Sequence, residues 1–396
     1  EEVGQLKIPK YNKPEILAIS KRNATKIAKN LMEAKNPRIH VGRLRTHEGI
    51  NKAIELVEIT GSSVRTSATS GPLSFPERHP LCGEGYNQDY DYILGLESDG
   101  KNTSIQGPTL LSRADKRDLS NIGFGFIRKP VIPPRRDLSG ENDLTADAEA
   151  SIPIIIEEYK RILKADNISD TAEKIRLDTS ANIRKHEKDL KQTLNKKRKG
   201  WDSSPVSLGR LYAELWPLIK DLDWCLSSPT VFSSRHHVGM WEHNKPYSYL
   251  GMHGAGGIGY CIGASAGAGL AAKTRNRIVI NIQCDGDLNY TPGSLWTASH
   301  HNLPLLTIMH NNRGYHQEVM YLQYMAGVRG RGTDRMHIGT TLREPFIDYA
   351  KLAEAYGMNN EGPIDNPNEL SAAYKRGINS VLSGEPYLID VITEPR

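Results

Sequence analysis

Ile278-Val279-Ile280-Asn281-Ile282-Gln283-Cys284-Asp285-Gly286-Asp287 decides the fold. A run of β-branched residues ends abruptly in an acidic, glycine-containing turn, and Pro292 can start the helix that follows. Twenty-seven residues after Asp285 a second apolar run, Leu305-Leu306-Thr307-Ile308-Met309-His310, ends at Asn311-Asn312-Arg313-Gly314. Two such strands joined by one helix are parallel neighbours, so Asp285 and Asn312 meet at one carboxyl edge, where open α/β sheets take their ligands. A carboxylate, an amide oxygen and a nearby backbone carbonyl are hard oxygen donors, suited to magnesium that also takes phosphate oxygens. A calcium loop starting at Asp285 fails, because Tyr290 and Trp296 occupy its glycine and glutamate positions.

Upstream, Gly254-Ala255-Gly256-Gly257-Ile258-Gly259-Tyr260 opens a helix of small residues, Cys261 to Lys273. Such a loop either cradles an anion or forms a tight turn before a closely packed helix. Downstream, Tyr315-His316-Gln317-Glu318 is either part of the site or a polar first helical turn. Gly327-Val328-Arg329-Gly330-Arg331-Gly332 is a cationic segment that either closes over a carboxylate substrate or lies on the surface. His236, His237 and His253 precede the glycine loop, where lone histidines are more often structural; His300 and His301 suit a helix C-terminus.

Asp285-Gly286 followed by Asn312 resembles the thiamine-diphosphate fingerprint of the pyruvate decarboxylase, acetolactate synthase and benzoylformate decarboxylase superfamily. The first glycine of that fingerprint is replaced by Cys284, at a position that serves backbone conformation. The resemblance implies that Asp285, Asn312 and the Gly314 carbonyl hold Mg2+, and that Gly286 and Asp287 lie at the cofactor's diphosphate. It implies that Ile258 wedges thiamine diphosphate into a bent shape, that the Gly256 carbonyl accepts from the aminopyrimidine, and that Gly257 belongs to the same loop. In that shape the amino group can take the thiazolium proton and form the ylid. The Gln317 N–H then meets the diphosphate, while Glu318, and less directly His316, relays protons. The activity implied is C–C bond cleavage or carboligation on a 2-keto acid or related carbonyl compound. Alternatives are a catalytically silent subunit, a C–C hydrolase and a flavin-assisted variant.

The remainder of the chain extends that resemblance. Residues 1–13 read as a linker, and 14–163 alternate helix and strand as in the superfamily's central α/β domain. Residues 164–204 form a charged linker or helix, and 205–396 the diphosphate-binding domain. The fold class expected is α/β, with two doubly wound parallel sheets. Strands are expected at Arg38–Val41, Val64–Thr66, Tyr92–Leu96, Trp224–Ser227, Arg277–Gln283, Leu303–His310 and Tyr387–Thr393, and residues 99–144 are read as mostly irregular. The superfamily's N-terminal pyrimidine-binding domain, with its activating glutamate, has no counterpart here. That domain is expected on a partner chain or to have been removed from this one, and a homo- or hetero-oligomer follows. The start Glu1-Glu2-Val3-Gly4 reads as a cut or processed end.

Net charge is +5, with basic residues gathered at Lys191 and Lys196-Lys197-Arg198-Lys199. Lacking aromatic interleaving, that cluster reads as a solvated helix end rather than a nucleic-acid surface. No run of eighteen apolar residues suggests a membrane span. Cys82, Cys225, Cys261 and Cys284 form no metal or disulfide pattern, which points to a reducing, cytoplasmic setting.

Overall fold

A computed structural model describes residues 16–66, 75–82, 90–97, 109–111, 144–165, 187–227 (except 189 and 193), 240–251 and 257–395. These residues build two five-stranded parallel sheets flanked by helices, the α/β class expected from the sequence.

The first sheet contains β1 (Pro37–Val41), β2 (Ser63–Thr66), β3 (Tyr92–Leu96), β4 (Thr109–Leu111) and β5 (Leu144–Thr145), in the order β2-β1-β3-β4-β5. Its helices are α1 (Lys21–Glu33), α2 (His47–Thr60) and α3 (Ala148–Ala165). Each of the first two starts where a hydroxyl meets an otherwise unpaired helix N–H: Ser20 accepts from Asn23 N and Thr46 from Gly49 N. Gly61, at φ 62°, closes α2 in the left-handed region that glycine tolerates. Ile27, Leu31, Ile50, Leu56, Ile152, Ile155 and Tyr159 pack on Ile39, Val41 and Leu94. Within the stretch 99–144 read as mostly irregular, Thr109–Leu111 forms a strand, three residues being too few for any periodicity to show, and residues 99–108 and 112–143 lie outside the described residues.

The second sheet contains β6 (Trp224–Leu226), β7 (Ile278–Cys284), β8 (Leu305–Asn311), β9 (Asn359–Ile364) and β10 (Tyr387–Ile392), in the order β6-β7-β8-β10-β9. Helices α4 (Leu208–Ile219) and α10 (Leu370–Leu382) cover one face, packing Leu211, Leu215, Tyr374 and Ile378 on Ile280, Ile308 and Ile389. Helices α5 (Tyr260–Ala272), α7 (Ser294–His300) and α9 (Tyr349–Ala355) cover the other, with Ile262, Ala266, Leu295 and Ala353 against Val279, Leu305 and Leu388. Both faces being covered, β7 and β8 are apolar along most of their length rather than alternating. Each fully buried Ile or Leu contributes roughly 1.5–3 kcal/mol.

Three features differ from expectation. The connection from β7 to β8 holds two short helices, α6 (Asp285–Leu288) and α7, because the acidic turn itself winds into a helical turn. Helix α8 (His316–Val328) absorbs the start of the expected cationic loop, Gly327 and Val328 included. It buries only Val319, so it has no apolar stripe for periodicity to detect. Strand β9, absent from the expected strands, is a partly exposed edge strand containing Gly362 and Pro363. Among the described residues no helix is long and apolar enough to cross a membrane.

Candidate functional site

Strands β7 and β8 pair in parallel with Cys284 opposite His310. The residues that follow, Asp285 on one side and Asn311-Asn312 on the other, therefore leave the sheet at the same carboxyl edge. Cys284 stands at φ −71° and ψ 143°, ordinary extended backbone, so a side chain there strains nothing. Asp285 is only 2% exposed. Its Oδ1 accepts from the Gly286 N–H at 2.8 Å and its Oδ2 from the Gly314 N–H at 3.1 Å. Burial nevertheless pushes its pKa up to about 6, because the backbone donors offset only part of the desolvation of the charge. No Lys or Arg forms an ion pair with Asp285 among the described residues.

Asn312 is also buried, and its Oδ1 has no hydrogen-bond partner. A buried amide oxygen without a donor costs about 1–3 kcal/mol, so its presence beside an uncompensated carboxylate asks for a cation. The residues fit a magnesium ion on that ground. Among the described residues no group of three His, Cys, Asp or Glu side chains forms a metal site. An ion here would therefore rest on one carboxylate, the Asn312 oxygen, backbone carbonyl and phosphate oxygens, a donor set typical of magnesium.

The turn carrying Asn312 is held from outside. Arg313 adopts φ 61°, with its guanidinium 4.0 Å from the ring centre of Phe346. The Tyr315 N–H donates to Thr340 O at 2.7 Å and the Leu342 N–H to Arg313 O at 3.0 Å, so residues 340–342 strap across the turn. Sequence reading missed this strap. It also missed Tyr349, whose hydroxyl donates to the Asp285 carbonyl at 3.0 Å, and Asp390, which accepts from Asn311 Nδ2 at 3.0 Å and from the Tyr349 N–H at 3.3 Å. Burial raises the Asp390 pKa to about 6 as well. The only signal for Asp390 was a charge inside the apolar strand Tyr387–Ile392.

The other singled-out residues separate into groups. Gly286 lies under the Tyr315 ring: a Cβ there would come within 2.4 Å of it. The carboxylate of Asp287 faces Gly259 and Gln283, accepting from the Gly259 N–H at 2.7 Å and from Gln283 Nε2 at 2.8 Å. Gly257 and Ile258 are exposed beside Gly259, the N-cap of α5 at φ 90°. His316 is tied through Nε2 to the Asn312 carbonyl at 3.1 Å, while Gln317 and Glu318 are exposed on the first turn of α8. Gly256, His236, His237 and His253 lie outside the described residues. His300 ends α7 stacked on Trp296, ring centres 4.6 Å apart.

Residues 232–391 match the family model of the thiamine pyrophosphate enzyme C-terminal TPP binding domain. The chain is 28% identical over 200 residues to a probable acetolactate synthase large subunit of Methanocaldococcus jannaschii, covering 49% of this chain and 32% of that protein. It is 29% identical over 131 residues to a pyruvate decarboxylase of Aspergillus terreus, covering 32% and 22%. The matched stretches thus span about a third or less of those relatives. Among solved structures, a putative thiamin diphosphate-dependent enzyme from Mycobacterium smegmatis superposes with a TM-score of 0.62 at 18% identity, over 97% of this chain and 66% of that one. Benzoylformate decarboxylase from Polynucleobacter necessarius superposes with a TM-score of 0.61 at 15% identity, over 99% and 68%. At these identities the superpositions speak for the fold.

Proposed function

We propose, from the premise that residues 232–391 are the C-terminal TPP-binding domain of a thiamine pyrophosphate enzyme, that this chain is the metal- and diphosphate-binding part of a C–C lyase or carboligase. Its substrate class is a 2-keto acid or related carbonyl compound. The observation that carries the proposal is the pairing of a buried carboxylate, with no Lys or Arg ion pair among the described residues, with a buried, partnerless amide oxygen at the ends of adjacent parallel strands.

Asp285, Asn312 and the Gly314 carbonyl would hold Mg2+, and Gly286 and the Gln317 N–H would face the diphosphate. Thiamine diphosphate, when bound, supplies a nucleophilic carbon for the substrate carbonyl and a sink for the electron pair released on C–C cleavage. The chain's own residues supply position and proton handling. Exposed Ile258 is the residue on which the bent cofactor would fold, with the Gly256 carbonyl accepting from its aminopyrimidine and Gly257 in the same loop. Glu318, exposed on the first turn of α8, would exchange protons with a substrate. His316, committed to the Asn312 carbonyl, is better suited to holding the metal turn than to relaying protons.

A partner chain completes the site on this reading, bringing a pyrimidine-binding domain with its activating glutamate in a homo- or hetero-oligomer. Helix α8 supports it: twelve of its thirteen residues escape burial, and Tyr321 and Tyr324 are 63% and 66% exposed. Tyr290 and Trp296 are also more than half exposed. The division at 14–163, 164–204 and 205–396 fits separate apolar cores in the two sheets, and four cysteines that form no disulfide among the described residues fit a cytoplasmic setting.

Calorimetric titration of thiamine diphosphate with Mg2+, into the chain alone and with any co-purifying partner, tests the proposal. Binding is expected to require the metal and to vanish in Asp285→Ala; unchanged affinity in that variant would sink the assignment.

A further inference from the structure

Asp287 lies two residues beyond Asp285, yet both oxygens of its carboxylate are taken up by the glycine loop and by β7. Oδ1 accepts from the Gly259 N–H at 2.7 Å and Oδ2 from Gln283 Nε2 at 2.8 Å. Behind it runs a buried amide chain: Gln283 Nε2 also donates to Cys284 O at 3.2 Å, and Asn281 Nδ2 donates to Gln283 Oε1 at 2.9 Å. Gly259 is held at its other end too, its carbonyl accepting from Thr291 Oγ1 at 2.6 Å. Its backbone at φ 90° and the Tyr290 Cβ, 2.6 Å from where a Cβ would stand, leave glycine as the residue that fits.

Resting on the proposed reading of the site, we propose that Asp287 is a positioning residue that locks the glycine loop to the metal turn and does not itself bind the diphosphate. Two physical facts drive this. A carboxylate aimed at a diphosphate repels it, whereas one aimed at the N-cap N–H of helix α5 makes a charge-assisted bond and favours the positive end of that helix. Ile258 is the residue before Gly259, so fixing the Gly259 N–H fixes the backbone on which the cofactor's rings would bend. Asp287 thereby sets the distance between the ring-binding and metal-binding halves of the site.

The test separates those halves. Full-length chain, with any co-purifying partner, is titrated with two probes in the presence of Mg2+: thiamine diphosphate and inorganic diphosphate. Asp287→Ala is expected to weaken thiamine diphosphate by about tenfold or more, the usual consequence of removing a charged hydrogen-bond partner, and to leave inorganic diphosphate unchanged. Asp287→Asn is expected to restore binding. The new amide oxygen can accept from Gly259, and Gln283 and Asn281 can turn over together, so that Gln283 Oε1 accepts from the new amide and its Nε2 donates to Asn281 Oδ1, an atom otherwise without a partner. Should Asp287→Ala not fold, Gln283→Met removes the brace at similar volume and is expected to give the same split, more weakly. Equal loss of both probes would overturn the proposal, because Asp287 would then serve metal or diphosphate directly. So would no loss of either probe, or an Asp287→Asn variant as weak as Asp287→Ala, while binding of both probes by the unaltered chain leaves the site reading standing. An unaltered chain that binds neither probe overturns the site reading and this inference with it.

Discussion

Acidification tests the metal site most directly, because the ligand proposed for the ion is a carboxyl group whose pKa burial has moved. Asp285 rises from the ordinary 3.8 to about 6, equivalent to about 3 kcal/mol of disfavoured ionisation at ~1.36 kcal/mol per pH unit. A divalent ion binds the ionised form, so ion and proton compete. With one competing proton, apparent affinity falls by a factor 1 + 10^(pKa − pH), which is close to one at about pH 7.5 and about elevenfold at about pH 5. Each ion bound releases about half a proton at about pH 6 and almost none at about pH 7.5. Mn2+ titration followed by electron paramagnetic resonance, without diphosphate and therefore without its own titration, measures the first quantity. Calorimetry in buffers of different ionisation enthalpy measures the second. The sign extends to stability. The folded state holds the Asp285 proton more tightly than the unfolded one, so this group's contribution is fully present below about 3.8 and is lost as pH rises through about 6. Saturating metal should flatten that decline. Mn2+ affinity that is constant, or that tightens, on going from about pH 7.5 to about pH 5 would refute the reasoning.

Tyr349→Phe removes the hydroxyl that donates to the Asp285 carbonyl at 3.0 Å; thermal melts should show a loss of about 0.5–1.5 kcal/mol, with weaker Mn2+ binding. Gly286→Ala places a methyl group within 2.4 Å of the Tyr315 ring, so displacement of that ring should cost about 1–3 kcal/mol in denaturant unfolding. The purified protein should carry no flavin absorbance band. At the start of α2, where the first sheet could offer an anion site between β1 and β3, Glu149 is already bound: Oε1 accepts from the Arg45 N–H and Oε2 from Thr46 Oγ1. Arg45 is further tied to Asp147, and a stoichiometric flavin band would contradict this reading.

Strand-and-turn pattern made Asp285 and Asn312 legible, because both follow long apolar runs directly and parallel pairing then fixes their edge. The residues that hold them were not legible. Tyr349 meets Asp285 across 64 positions and Asp390 meets Asn311 across 79, and no local pattern encodes such a meeting. Asn281 and Gln283 sit in an apolar strand whose pattern gave them no role, yet they end as the brace behind Asp287. Helix α8 escaped because it has no buried face within this chain, and β9 because an edge strand tolerates the glycine and proline that mark loops.

The second sheet divides stability from chemistry by face and by height. On the face under α4 and α10, Ile278, Ile280, Ile282, Leu306, Ile308, Ile389 and Val391 form an aliphatic layer. On the opposite face the strands begin apolar, at Val279, Leu305 and Leu388. They turn polar toward their carboxyl ends, at Asn281, Gln283, Thr307, Asn311 and Asp390, all buried. Buried polar side chains cost stability where they lack partners, as Thr307 Oγ1 does here, so this gradient depends on the network above it. Asp390 holds Asn311 and the start of α9, Tyr349 on α9 holds the Asp285 turn, and Gln283 holds Asp287 and through it the first turn of α5. The turns carrying Asp285 and Asn312 are thus positioned by the polar ends of their own strands, while the aliphatic face keeps those strands from shifting. Substitutions on the two faces should therefore separate: truncating Ile280 or Ile308 lowers stability with site geometry kept in the molecules that remain folded, whereas altering Gln283 or Asp390 disturbs ion or cofactor affinity out of proportion to the stability lost.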